Sequence, residues 1–146
     1  MTCITILLAD DHDLIRKGIR MVLAFDPDIE VVAEAVNGRQ AIELARLLCP
    51  AVILMDVAMP LLNGLQAARQ ILKAFPATKI LMLSAHEDEA YIVESVKSGA
   101  RGYLLKQTST DQVCTAIREV HKGNTFFSPS IPKQLHLTRR RKVAKA

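Results

Sequence analysis

The chain has 146 residues, half of them apolar, and a net charge of +4. This length suits one domain with a short appendage, and the apolar content excludes an intrinsically disordered chain. Six of the 19 Lys and Arg residues follow residue 132, where the sequence has no acid, so residues 1–132 carry 13 basic against 15 acidic residues, a net charge of −2. The basic character therefore belongs to the end of the chain, and it does not mark the main domain as a nucleic-acid binder.

No stretch approaches the ~18 apolar residues that a membrane-spanning helix needs. The start, "MTCITILLADDHDL", has no basic segment ahead of its apolar run, unlike a secretory signal. Cys3, Cys49 and Cys114 lack metal-type spacing, which favours buried free thiols in a reducing compartment. These features predict a cytoplasmic location.

Five apolar segments rich in β-branched residues recur along the chain: "CITILLAD", "IEVVAEAV", "AVILMD", "KILMLS" and "GYLLK". Their apolar residues are continuous rather than alternating, which is typical of strands buried on both faces of a parallel sheet. Between them, apolar residues recur at helical spacing, as at Ile15, Ile19 and Val22, which predicts amphipathic helices. We therefore predict an α/β fold, a doubly wound five-stranded parallel sheet with helices on both faces.

Two predicted helices have clear start signals. Asn37 and Ser109 are each followed three residues later by Gln, a pattern that satisfies free backbone donors at a helix start. The helix between strands four and five is the weakest, because Ile92, Val93 and Val96 are its only substantial aliphatic anchors. An element that buries so little apolar surface can shift at low cost.

The alternation of strand and helix is lost after Gly123, in "GNTFFSPSIPKQLHLTRRRKVAKA". We therefore place a domain boundary there, with residues 1–123 as the folded domain and 124–146 as a linker and basic tail.

Polar side chains stand where the predicted strands end. Asp10 and Asp11 follow strand one, Asp56 ends strand three, Ser84 ends strand four and Lys106 follows strand five. In open parallel sheets, ligands bind beyond the carboxyl ends of the strands. If the strand order is 2-1-3-4-5, the three carboxylates converge, and they then require protons or a cation. Mg²⁺, which prefers a few carboxylates, waters and a phosphate oxygen, matches this set.

These residue types suit phosphoryl transfer. With the ion in place, Asp56 is a candidate nucleophile toward phosphorus, by the carboxylate route to an aspartyl phosphate. Lys106 and Ser84 would contact the transferred group, one by charge and one by hydrogen bond. His12 adjoins the acids but is expected to be a first-turn surface residue, since Mg²⁺ disfavours imidazole. His86 lies two residues past Ser84, where it can overlook the site.

The segments "ILLADDH", "VILMDVAMP", "LNG", "ILMLSAHED" and "SGARGYLLK" occur in an order that resembles the receiver domain of bacterial two-component response regulators. The stretches "DDHDLIRKGIRMVL" and "GYLLK" are most similar to the subfamily with a LuxR/NarL-type helix-turn-helix output. The resemblance covers about residues 3–123. It implies a flavodoxin-like fold with strand order 2-1-3-4-5.

The resemblance also implies roles. Asp56 matches the phosphorylated aspartate, and Lys106 matches the family's lysine. The Mg²⁺ ligands would be Asp10, Asp11, Asp56 and the backbone carbonyl of Ala58.

Two further positions match the family's switch. Ser84 corresponds to the switch hydroxyl and Tyr103 to the switch aromatic, which turns inward on phosphorylation. Gln107 departs from the family pattern, because many receivers have a proline there, joined by a cis peptide bond.

The partners implied are a sensor histidine kinase, which donates the phosphoryl group, and a second copy of the chain after phosphorylation. The output would be transcription, through a DNA-binding domain. The final "LTRRRKVAKA" resembles the opening of such a domain, but no recognition helix follows in the sequence. The tail is therefore expected to be either the start of a truncated domain or a short basic extension.

Three other classes compete. A haloacid-dehalogenase-type phosphatase also uses an aspartyl phosphate, but it needs a second acid two residues later, where this chain has Ala58. A flavodoxin-like FMN binder needs a Ser/Thr/Gly-rich phosphate loop, whereas Asp10 and Asp11 would repel the phosphate. A phosphate-independent pseudo-receiver is disfavoured by the complete set of acids, hydroxyl and lysine. We therefore expect a signalling domain rather than a conventional enzyme.

Overall fold

The computed structural model describes residues 3–86 and 88–132. Strands and helices alternate along this part of the chain. The strands are β1 (Ile4–Ala9), β2 (Ile29–Ala35), β3 (Val52–Asp56), β4 (Lys79–Ser84), β5 (Gly102–Leu105) and β6 (Phe126–Phe127). The helices are α1 (Asp13–Ala24), α2 (Gly38–Leu48), α3 (Gly64–Ala74), α4 (Glu89–Lys97) and α5 (Ser109–His121), with a short 3₁₀ turn at Lys106–Thr108.

The strands form one parallel sheet in the order β2-β1-β3-β4-β5-β6. This confirms the predicted α/β class and the strand order 2-1-3-4-5. Because β1 and β3 are direct neighbours, the segments that follow them leave the sheet side by side. The carboxyl ends of all the strands point to one edge, as parallel pairing requires.

Successive strand residues face opposite sides of the sheet, and each side has its own apolar core. Leu7, Ile53 and Met82 face one side and pack with residues of α2, α3 and α4. Ile6, Leu54 and Leu81 face the other side and pack with residues of α1 and α5. Both faces are covered, which explains why the strands are continuously apolar in sequence.

Two helix starts are held in defined ways. The Asn37 side chain accepts a hydrogen bond from the Gln40 amide over 2.8 Å, which confirms the predicted cap of α2. A capping box that we did not predict, between Asn63 and Gln66, begins α3. At Gly64, an added Cβ would lie 1.9 Å from the carbonyl oxygen of Asp56, so only glycine allows α3 to start this close to the end of β3. The Ser109 side chain lies outside the described part, so its predicted cap stays a prediction.

Helix α4 has few buried residues, as predicted. Ile92 and Val96 are buried, Val93 is half-buried, and the other buried position on the helix is Ser95. The Ser95 hydroxyl donates back to the carbonyl oxygen of Tyr91 over 2.8 Å, which satisfies it within the helix. The apolar contact of α4 with the sheet is therefore small.

The sheet has one strand more than we predicted. Residues after Gly123 were expected to form a linker, yet Phe126 and Phe127 pair with β5 and extend the sheet. The Ser128 hydroxyl accepts a hydrogen bond from the Leu105 amide over 2.9 Å, and Ile131 is buried in the core. Apolar burial of Phe127 and Ile131 holds this segment on the domain. Residues 133–146, with the basic tail, lie outside the described part, so the domain boundary itself stays a prediction.

The cysteines differ from expectation. Cys3 and Cys49 are exposed, and Cys114 is half-buried. Cys3 directly precedes β1 and Cys49 directly follows α2, whereas Cys114 lies within α5. In the part of the chain that the structure describes, no helix has both the length and the apolarity required to cross a membrane.

Candidate phosphoryl-acceptor site

The polar residues predicted from the strand ends meet at the carboxyl edge of the sheet. Asp10 lies directly after β1 and is fully buried, while Asp56 is the last residue of β3 and is 2 % exposed. Asp11 is about one-third exposed. Each of these carboxylates and the His12 ring offers one potential metal-ligand atom, and the four atoms all lie within 4.8 Å of one another. The parallel pairing of β1 with β3 thus brings three acids together.

The ammonium group of Lys106 reaches into this cluster. Its Nζ lies 3.0 Å from Oδ2 of Asp56 and 3.2 Å from Oδ2 of Asp10. Lys106 is placed there because β5 ends at the same edge as β3. One ammonium balances only one of three carboxylates, so the cluster keeps an excess of negative charge.

Asp56 is held in one orientation. Its Oδ1 accepts a hydrogen bond from the Ala58 amide over 3.1 Å, and its Oδ2 accepts one from Lys106. Burial raises the pKa of the Asp56 carboxyl to about 7, and the neighbouring charge of Asp10 adds to the rise, while Lys106 and the Ala58 amide oppose it. A cation bound nearby would favour the ionised carboxylate, which is the form that can act as a nucleophile.

The cluster fits a hard divalent cation. Among the described residues, Oδ2 of Asp10 is a buried oxygen without a hydrogen bond, although Lys106 lies in ion-pair contact with it. Burial of carboxylates is costly unless cations neutralise them, and Lys106 shares its single charge between Asp10 and Asp56, so a second cation would lower this cost. The three carboxylates offer the oxygen ligands that Mg²⁺ prefers, and the excess negative charge supplies the attraction.

Ser84 and Tyr103 both hold the segment between β4 and α4. The Ser84 hydroxyl, almost fully buried, accepts a hydrogen bond from the His86 amide over 3.0 Å. The Tyr103 hydroxyl donates to the His86 carbonyl oxygen over 2.7 Å. Tyr103 therefore already points inward in this structure, and its burial raises its pKa to about 12. The His86 ring stacks on Tyr91 with centroids 4.8 Å apart.

Two features of the site were missed or misjudged from the sequence. Arg16 donates to the carbonyl oxygen of Asp10 over 2.7 Å and to Glu34 over 2.9 Å, so it ties the end of β1 to β2. Only its position one turn into α1 could have indicated this. His12 precedes α1 rather than lying in its first turn, and its ring faces the acids rather than solvent alone.

A cleft of about 320 Å³ opens beside the acids, lined by His12, Ile15, Ala85, Lys106 and Gln107. No described peptide bond is cis, including the one before Gln107. Through this cleft, Lys106 and His12 are reachable from solvent.

The fold and this acidic pocket are those of a receiver domain. The chain matches the family described as "Response regulator receiver domain" over residues 6–118, and it belongs to that family. It is accordingly a domain of two-component signalling, close to LuxR- and NarL-type regulators, rather than a conventional enzyme. This confirms the resemblance stated from the sequence.

Individual relatives agree. The chain is 41 % identical over 140 residues to the transcriptional regulatory protein DegU of Brevibacillus brevis, covering 96 % of this chain and 59 % of that protein. A two-component response regulator of the LuxR family from Aurantimonas sp. SI85-9A1 is 31 % identical with a TM-score of 0.86, over 96 % of this chain and 99 % of that one. The receiver domain of NarL from Mycobacterium tuberculosis is 31 % identical with a TM-score of 0.80, over 85 % and 100 % of the two chains. The chain thus spans about 60 % of the length of the curated relatives that it matches.

Proposed function

We propose that this domain accepts a phosphoryl group on Asp56 from a sensor histidine kinase, and that the modification controls transcription through an output domain. The observation that carries the proposal is the Asp56 carboxylate, which is buried, faces two further acids and contacts the Lys106 ammonium at 3.0 Å. Family membership supports it, because the related DegU is a transcriptional regulatory protein.

In the proposed step, an oxygen of Asp56 attacks the phosphorus atom carried by the kinase histidine. The new O–P bond forms as the P–N bond breaks, and the imidazole leaves with the electron pair. Lys106 lies where it can neutralise charge on the phosphoryl oxygens, and the Ala58 amide keeps the attacking carboxylate oriented. We assign the Mg²⁺ ligands as Asp10, Asp11, Asp56 and the carbonyl of Ala58. The ion would supply further charge neutralisation at the phosphoryl group.

The switch would use the two groups that hold His86. The Ser84 hydroxyl accepts from the His86 amide, and a turn of the side chain that moves its oxygen toward Asp56 would let it donate to a phosphoryl oxygen. That turn would break one of the two hydrogen bonds on His86 and leave the one from Tyr103. The segment before α4 would then move, and the weakly anchored helix would move with it.

A homodimer on phosphorylation is part of the proposal. Three large apolar side chains are exposed on and directly after α1: Leu14 (82 %), Met21 (58 %) and Phe25 (88 %), the last of which follows the helix. Their spacing places them on one face of the helix. An exposed apolar stripe of this kind is typical of a protein interface. We also propose a cytoplasmic location, on the sequence features given above.

The test is incubation with acetyl phosphate, or with beryllofluoride, in the presence of Mg²⁺. With acetyl phosphate, intact-mass spectrometry should show one added phosphoryl group, which peptide mapping should place on Asp56; beryllofluoride, which carries no phosphorus, should bind the same carboxylate as a mimic of that group. Asp56→Asn should abolish it, whereas Asp111→Asn, an exposed acid on α5, should not. Absence of modification, or equal modification of the two variants, would refute the proposal.

A further inference from the structure

The ring of His12 lies against the acidic cluster although 59 % of its side chain is exposed. The His12 amide donates to Oδ1 of Asp10 over 2.8 Å, which holds the residue beside the acids. Its Nδ1 atom lies 3.0 Å from Asp10, 3.3 Å from Asp11 and 3.6 Å from Asp56. The cluster therefore offers an imidazole nitrogen in addition to carboxylate oxygens.

Two groups of opposite charge contact Nδ1 of His12. The Lys106 Nζ lies 2.9 Å from this nitrogen and Oδ1 of Asp10 lies 3.0 Å from it. An ammonium group can only donate to the nitrogen and a carboxylate can only accept from it, so the ring tautomer decides which of the two it bonds. In the tautomer protonated at Nε2, Nδ1 presents the lone pair by which an imidazole binds metal ions.

The buried oxygen of Asp10 gives an independent reason to expect a ligand here. Asp10 is fully buried, and its Oδ2 has no hydrogen bond among the described residues; the ammonium of Lys106, 3.2 Å away, is shared with Asp56. The other oxygen of the same carboxylate, Oδ1 of Asp10, contacts Nδ1 of His12. A cation bound to Asp10 would therefore also lie near the imidazole.

Building on the proposed Mg²⁺ site, we propose that His12 is a further ligand of that site and gives it a preference for borderline transition ions such as Co²⁺, Ni²⁺ or Zn²⁺. Mg²⁺ is a hard ion that takes oxygen ligands, whereas imidazole suits the transition ions. Any carboxylate site binds transition ions somewhat more tightly than Mg²⁺. The contribution of His12 is therefore the change in the ratio of transition-ion affinity to Mg²⁺ affinity when the imidazole is removed. A transition ion bound here excludes Mg²⁺ from the same carboxylates, which makes metal supply an input to the domain.

The experiment compares the whole chain with His12→Asn, because asparagine removes the imidazole and keeps a residue that begins helices well. Isothermal titration calorimetry measures Co²⁺ and Mg²⁺ binding to each protein. The ratio of Co²⁺ to Mg²⁺ affinity should fall at least about tenfold in the variant, the scale of loss seen when metal sites lose a supporting group. Paramagnetic proton NMR of the Co²⁺ form should show a shifted, exchangeable ring N–H that His12→Asn lacks.

His121→Asn is the matched control, because His121 is exposed at the end of α5, away from the acids. It should keep both the affinity ratio and the shifted signal. An unchanged ratio in His12→Asn, or a shifted signal that persists in it, would overturn the inference. Mg²⁺ binding to the wild-type chain separates the two proposals: if Mg²⁺ binds and phosphorylation occurs but His12 has no effect, only the role of His12 fails. If neither Mg²⁺ binding nor phosphorylation occurs, the proposed function fails.

Discussion

The hydroxyl group of Tyr103 donates a 2.7 Å hydrogen bond to the carbonyl oxygen of His86, across the sheet edge from β5 to the segment before α4. The amide of the same His86 is bound by Ser84 over 3.0 Å. Ser84 and Tyr103, the two residues proposed as the switch, therefore hold the same residue, one at its amide and the other at its carbonyl. A change at either one loosens the same segment, which gives a physical link between the acidic cluster and α4.

Tyr103→Phe should loosen this segment because the carbonyl oxygen of His86 loses the hydroxyl group that donates to it. Amide exchange at His86, measured by NMR, should accelerate by about fivefold, the equivalent of about 1 kcal/mol for one lost hydrogen bond. Tyr91→Phe keeps an aromatic ring to stack on His86 and is the control. Unchanged exchange in Tyr103→Phe would mean that the hydrogen bond does not hold the segment.

Stability should depend on pH through Asp56. Its pKa is about 7 in the folded chain against an ordinary 3.8, so the folded state retains a proton that the unfolded state has lost. The contribution of Asp56 to stability is therefore complete below pH 3.8 and falls as pH rises toward about 7, by at most about 4 kcal/mol. Asp56→Asn cannot ionise, so in EDTA its free energy of unfolding should exceed that of the wild type at pH 8.

Urea unfolding at about pH 4 and about pH 8 measures this difference. It should be far smaller at the acid pH, where the folded-state carboxyl is protonated and the unfolded-state carboxyl is close to its own pKa of 3.8. Asp111→Asn should show no such pH dependence. An equal gain for Asp56→Asn at both pH values would contradict the raised pKa.

Leu61 carries backbone strain that a glycine would relieve. Its φ is +67° and its side chain is 71 % exposed, so it has a left-handed conformation with little apolar burial in return. The conformation costs a non-glycine residue ~1–2 kcal/mol. The greater freedom of glycine in the unfolded chain offsets ~0.5–1 kcal/mol. Leu61→Gly should therefore raise the free energy of unfolding by ~0.5–1 kcal/mol, as measured by urea unfolding.

Leu47→Gly is the matched control, and it should lower the free energy of unfolding. Leu47 is similarly exposed, at 63 %, but it lies within α2, where glycine costs ~1 kcal/mol. Equal effects of the two glycine substitutions would contradict the strain at Leu61.

The exposed stripe on α1 should contribute to the proposed dimer. Phe25→Glu places a charge on the most exposed of its three apolar residues, at 88 %. Burial of an unpaired charge in an interface is costly. The variant should stay monomeric in light scattering with beryllofluoride and Mg²⁺, where the wild type should dimerise. Leu47→Glu, on the exposed surface of α2, should dimerise as the wild type does. Dimerisation of Phe25→Glu would exclude this face.

The fold class and the residue types at the strand ends follow from residue pattern and spacing alone. Continuous apolar strands alternating with amphipathic helices require a parallel sheet covered on both faces, and such a sheet brings its strand ends to one edge. For that reason Asp10, Asp56 and Lys106 could be predicted to lie at the same edge, and the strand order made them neighbours. The strand order came from the resemblance to receivers, because apolar pattern alone does not order parallel strands.

The directions of individual side chains depend on packing and cannot be derived from the pattern. Phe126 and Phe127 join the sheet because β5 leaves an edge open to pairing, a property of the assembled sheet that no local pattern reveals. The direction of the His12 ring depends on its contacts with Asp10 and Lys106, which are 2 and 94 residues away in the chain. Side-chain orientation is set by such long-range contacts. Residue type and spacing therefore predict which groups share an edge, while packing determines which atoms meet.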